Sequence, residues 1–323
     1  MAISVNASHR GGDRAGLARA SLPTIVLVLL VALGAAISPG VLSQGAVANF
    51  LVDATPLVIL VIGATFPILT GSIDLSVAGV VSLTGVLLVS LGSTFGEYTG
   101  AVIVLAALVF GAAQGLVHVF FRLPSFIVSL GSLGILSGLA LYISDSVAQP
   151  IMPGDILVDY ISGGVGVLPN SLFVVLAVFV GLGLVVRYTR LGRDIFALGT
   201  GERAAMMSGV NVLATRMIAF AMSAGCAALA GLFLVSVTTF SSPVMAGNLL
   251  LLTIVGVVLG GTAISGGVGG LYPALVGGFL VAWLRVMIVI VGVPPTGQNI
   301  VFGVMALIAV AFTTDRNKLG IVK

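Results

Sequence analysis

Apolar residues gather into ten runs along the chain, at about 22–37, 55–70, 75–94, 99–120, 124–143, 167–186, 217–239, 249–264, 270–290 and 298–313, with short polar breaks between them. An α-helix needs about 20 mainly apolar residues to cross a bilayer, so the pattern predicts an all-α, polytopic membrane protein of about ten transmembrane helices. The polar stretch 1–21, with Arg10, Arg14 and Arg19, reads as a cytoplasmic N-terminal tail, and the run after it as an uncleaved first helix, not a secretory signal. Residues 22–314 form the expected transmembrane domain and 315–323 a cytoplasmic C-terminal tail. Pro67 falls inside the second run, Pro124 opens the fifth, and Pro294 and Pro295 precede the last; each lacks a backbone donor and marks a kink or boundary.

Composition strengthens this picture. Of 323 residues only 7% are charged and 59% are hydrophobic, with a mean hydropathy of +1.28, which no fold with a water-facing surface sustains. The 44 glycines include the pairs Gly111/Gly115, Gly134/Gly138 and Gly256/Gly260, spaced either for close helix approach or simply as membrane helices tolerate them. The single cysteine, Cys226, excludes an intrachain disulfide and reads as a packing residue. The net charge of +3 is spread over short clusters that form no nucleic-acid surface.

Those clusters report orientation. With the N-terminus inside and about ten spans, the inner segments hold twelve of the thirteen Lys and Arg residues, while the outer ones carry Asp53, Glu97, Asp145, Asp155 and Asp159 and no base. Both termini are then cytoplasmic. The exception is Arg285, about midway along the ninth run, where an intramembrane charge points to function; it would hydrogen-bond a polyol or pair with Asp53, or else extend outward to the interface. Gln298 and Asn299, at the outer start of the tenth span, are weaker candidates for lining a path.

The stretch Ile68–Val77, ILTGSIDLSV, sets a carboxylate and three hydroxyls between two apolar runs. Three readings of it stay open. Ser72 or Asp74 caps the third helix; or Pro67 and Gly71 break the backbone so that Ser72 and Asp74 line a translocation path; or Asp74 pairs with a loop arginine. No phosphate-binding loop, H-E-x-x-H or C-x-x-C is present, and His9 and His118 lie far apart, so an enzyme is not indicated. His118 reads as an interfacial structural residue.

The longest inner loop, 187–216, carries five arginines with Asp194 and Glu202. Within it Glu202–Met207 predicts a short helix that Gly209 ends. The positive-inside rule accounts for Arg193 and Arg203, but not for Met206 and Met207, flexible apolar side chains suited to a partner's groove.

Three stretches, TFPILTGSIDLSVAGVVSLTGVLL, LGRDIFALGTGERAAMMSGVNV and VVLGGTAISGGVGGLYPALVGGFL, resemble in order the signature regions of the monosaccharide ABC importer permeases, the ribose, xylose, arabinose and autoinducer-2 type, over residues 45–315. The resemblance implies a bacterial inner-membrane, multi-pass permease that works as a homo- or heterodimer with a second permease chain. An extracytoplasmic sugar-binding protein would deliver substrate, and two cytoplasmic ABC ATPase subunits would dock on Asp194–Gly209. ATP and Mg would be bound by those subunits, with no cofactor in this chain. The sequence departs from the family pattern at Ser72, Pro67, Met206, Arg285 and Val286. Rival readings are an ABC permease for nucleosides or branched-chain amino acids, and an ion-coupled secondary transporter.

Overall fold

The computed structural model describes residues 10–151, 160, 163–165 and 168–313; Asp155, Asp159 and the C-terminal tail 315–323 lie outside the described residues. Every apolar run coincides with a helix: α1 (Arg10–Ile37), α2 (Gln44–Leu69), α3 (Val77–Phe95), α4 (Thr99–Phe120), α5 (Ser125–Ile143), α6 (Asn170–Tyr188), α9 (Val212–Thr238), α10 (Leu249–Leu259), α11 (Leu271–Ile290) and α12 (Pro295–Thr313). Two further helices, α7 (Arg190–Thr200) and α8 (Glu202–Met207), fill the long polar loop. By length and composition α2, the α3–α4 stretch Val77–Phe120, α5, α6, α9 and α11 are each able to cross a membrane.

Three boundaries differ from those read in the sequence. α1 spans Arg10–Ile37, so the described part of the polar N-terminal stretch, residues 10–21, is helical and continuous with the first apolar run. α2 begins at Gln44, which puts Asp53 in a helix and not in an outer loop. α10 has only 11 residues, about 16 Å of helix, too short to cross a core of about 30 Å. The run expected at 249–264 therefore stops early. Before it, the non-helical segment at 242–248 is partly buried, and the amide of Ala246 donates to Ser82 Oγ of α3 at 3.3 Å, a protein partner for a backbone group that lipid would leave unsatisfied.

α9 is the hub, packed against α4, α2 and α3, while α2 also meets α11 and α10. The close approach of α4 and α9 depends on glycine: a β-carbon at Gly115 would lie 2.7 Å from the Met217 Cα, and one at Gly111 would strike the Phe220 carbonyl. Gly256 and Gly260 likewise admit Val61 and Pro273, whereas Gly134 and Gly138 face open space. Two of the three spaced pairs are thus contact positions. α1 is pinned to α11 by the indole N–H of Trp283, which donates to the Leu30 carbonyl at 3.0 Å, and by Thr24 and Tyr272 hydroxyls 2.9 Å apart.

α6 leans on α2 and runs into α7 across the single residue Thr189. An apolar cleft of about 290 Å³, lined by Val104, Leu108, Val178, Leu182, Met222 and Cys226 among others, separates it from α4 and α9. A short antiparallel ladder joins β1 (Gln149–Pro150) to β4 (Phe240–Ser241), and another joins β2 (Gly164–Val165) to β3 (Leu168–Pro169).

Candidate functional site

Asp74 sits in the turn between α2 and α3. Four donors meet its carboxylate: Oδ1 accepts from the Ser76 amide (3.0 Å), the Ser76 hydroxyl (2.6 Å) and Gln114 Nε2 (3.0 Å), and Oδ2 from the Ser223 hydroxyl (2.7 Å). Its side chain is buried, as is Ser72, whose hydroxyl accepts from Thr70. None of the four donors is an arginine. Asp74 closes the turn into α3 through the Ser76 amide and ties it to α4 and α9. Ile73 is held in the same way, its amide by Ser125 Oγ at 3.0 Å and its carbonyl by Ser129 Oγ at 3.2 Å, both on α5.

A second turn follows α10 and repeats the backbone of the first. Gly71 (φ +76°) and Gly261 (φ +102°) adopt left-handed conformations, and the amides of Ser72 and Thr262 reach back to Pro67 and Val257 carbonyls at 2.9 and 3.1 Å. The two turns meet, with the Gly267 amide donating to the Leu69 carbonyl at 3.0 Å. Gly199, near the end of α7, closes the junction: a β-carbon there would lie 2.8 Å from the Gly267 Cα, and one at Gly266 2.7 Å from the Gly71 nitrogen. Three elements far apart in sequence thus touch backbone to backbone.

α7 and α8 present the other side of this junction. α7 buries Gly192, Ile195 and Leu198 while Arg193 is exposed and Asp194 half-buried. On α8 the residues Glu202, Arg203, Met206 and Met207 are exposed, Met207 at 91%. Gly209 (φ +83°) ends the helix, with the Val210 amide returning to Ala205 at 3.0 Å. Glu202 forms an ion pair with Arg216 of α9 at 2.7 Å.

Arg285 projects from α11 onto the exposed surface, and its charge acts on Asp53, also exposed, of the adjoining α2. Asn49, one turn before Asp53, is exposed as well, and on α12 Gln298 is half-buried and Asn299 exposed. Asp53 is the partner that the sequence itself offers Arg285; Asn49 escapes that reading because α2 extends beyond its apolar run, and its four-residue spacing from Asp53 on one face is the only hint. Ser72 and Asp74 do not join this surface. They belong to the interior, as does His118, packed on Phe220 with ring centroids 5.9 Å apart.

Residues 46–310 match the family described as branched-chain amino acid transport system / permease component. The chain is 31% identical over 295 residues to the ribose import permease protein RbsC of Escherichia coli strain K12, covering 88% of this chain and 91% of that one. It is 29% identical over 293 residues to the ribose import permease protein RbsC of Haemophilus influenzae, covering 88% and 90%. To the fructose import permease protein FruG of Bifidobacterium longum it is 30% identical over 313 residues, covering 91% of each.

Proposed function

Because the chain belongs to the branched-chain amino acid transport system / permease component family, we propose that it is the membrane-spanning permease subunit of an ATP-binding-cassette importer for monosaccharides. The observation that carries the cargo is the similarity, over nine-tenths of the chain, to permeases whose names specify ribose and fructose. The protein is a transport component of a bacterial inner membrane, and such permeases work with ATPase and substrate-binding partners. In our reading all ten apolar helices, with α10 completed by its preceding turns, make up the membrane domain, both termini are cytoplasmic, and two permease chains pair around the path. ATP and Mg are held by the ATPase subunits.

The exposed heads of Met206 and Met207, with Arg193, Asp194, Glu202, Arg203 and Gly209 around them, form the surface that an ATPase groove takes up. Arg285, Gln298 and Asn299, joined by Asn49 and Asp53, line the path. A charged pair on a span's surface is costly against lipid, and hydroxyl-rich cargo needs both donors and acceptors. Ser72 and Asp74 hold the turn instead of lining the path in this conformation. The family description keeps branched-chain amino acids as the second reading. Uptake of labelled ribose, fructose and leucine into vesicles holding this chain, its ATPase and its binding protein tests both. Ribose or fructose uptake that needs ATP and both partners is expected; leucine uptake alone transfers the assignment to the second reading, and gradient-driven uptake by the isolated chain overturns both.

A further inference from the structure

The interface of α4 with α9 carries a line of polar groups that neither the cargo nor the docking surface explains. At its deeper end Gln114 donates Nε2 to Asp74, which accepts only, so the amide is oriented and Oε1 points elsewhere. One turn along α4, His118 places Nδ1 2.6 Å from the Leu123 carbonyl. A carbonyl accepts, so Nδ1 carries the hydrogen, and a neutral ring offers Nε2 as an acceptor. On α9, Arg216 gives one Nη to Glu202 at the head of α8, and the charges of both Arg216 and Glu202 act on the His118 ring. Gln114 Oε1, His118 Nε2 and Arg216 Nε are buried, and none has a hydrogen-bond partner among the described residues.

These three atoms form a matched set: two acceptors and one N–H donor. A water molecule has two hydrogens for the acceptors and a lone pair for the donor, and buried waters bind where two to four polar groups converge. We infer that Gln114 and His118 are positioning residues that, through a bridging water, hold Arg216 in place and so fix α8 relative to the Asp74 turn. This rests on the reading of α8 as the ATPase-docking element. The consequence is that movement of α8 by an ATPase reaches Asp74 through side chains, in parallel with the glycine contacts of α7.

Two substitutions at His118 separate this role from plain packing. His118→Asn keeps a donor near the Nδ1 position for Leu123 and loses Nε2; His118→Gln reaches the Nε2 position and gives up Leu123. Amide hydrogen exchange over residues 202–209 is measured on the full chain in lipid nanodiscs without partners, with α9 amides reporting the folded state. The Asn variant should exchange about threefold faster than wild type in α8, a local opening of a loosened segment, with the Gln variant near the wild-type rate. Any other ordering, including equal loss in both, overturns the inference. If either variant loses α9 protection, Arg216→Lys, which keeps the charge for Glu202 but has no Nε–H, takes its place and must match the faster rate; a wild-type rate overturns the inference. In vesicles with the ATPase and binding protein, His118→Asn is expected to raise the ATP hydrolysed per ribose imported and His118→Gln to leave that ratio near the wild-type value. A wild-type chain that imports no sugar overturns the importer reading while the exchange ordering still decides the seam.

Discussion

Removing the Asp74 carboxylate would leave donors on Ser76, Gln114 and Ser223 without an acceptor in an apolar interior. Each unsatisfied buried group costs about 1–3 kcal/mol, so Asp74→Ala is expected to destabilise by at least about 3 kcal/mol, read as a fall in the thermal midpoint of the purified protein in detergent. Asp74→Asn keeps one acceptor oxygen and should lie between Ala and wild type. Arg285 behaves in the opposite way. It is exposed and accepts no structural duty, so Arg285→Gln should leave the midpoint unchanged while vesicle uptake drops about tenfold, the loss that about 1.4 kcal/mol of binding represents. Asp53→Asn should mimic it, and, with both groups on the same stretch of the proposed path, the double variant should lose no more than either alone.

Among the elements, the turns around α7 are the least tolerant. A methyl group at Gly199 enters the space of Leu69 and Gly267 backbone atoms, which have no rotamer to yield. Gly199→Ala should therefore cost about 1–3 kcal/mol and abolish ATP-driven uptake, checked by uptake and by the fraction of monodisperse protein on size exclusion. Met207→Asp, on the exposed face of α8, should keep stability within about 0.5 kcal/mol yet abolish copurification of the ATPase. Much of this was legible in the chain: each apolar run became a helix, α8 starts at Glu202, and Gly209 ends it. What escaped has physical reasons. α7 hides its buried Gly192, Ile195 and Leu198 among arginines, so it reads as a solvated loop. α10 is short because the glycine turn begins inside its run, and no local signal tells a broken span from a continuous one. Asp74 finds Ser223 at a separation of 149 residues, a contact made only by the packing of α9.

At the scale of the molecule, α9 anchors a core by packing on α2, α3 and α4, and α11 packs in turn on α2, while α6 stands beside it with a cleft on one flank. With 19 residues α6 is about 28 Å long, close to the hydrocarbon thickness of about 30 Å. Its connection to α7 through Thr189 alone would pass a change in its tilt on to α7. Hydrophobic mismatch is relieved by tilting, and a helix free on one side tilts first. Acyl chains of 14 or 22 carbons should therefore slow ATP-driven uptake relative to 18, with ATP hydrolysis by the complex less affected, as measured in vesicles of single-component phosphatidylcholine. If uptake follows acyl length in this way, the cleft beside α6 is where the thickness of the surrounding lipid enters transport.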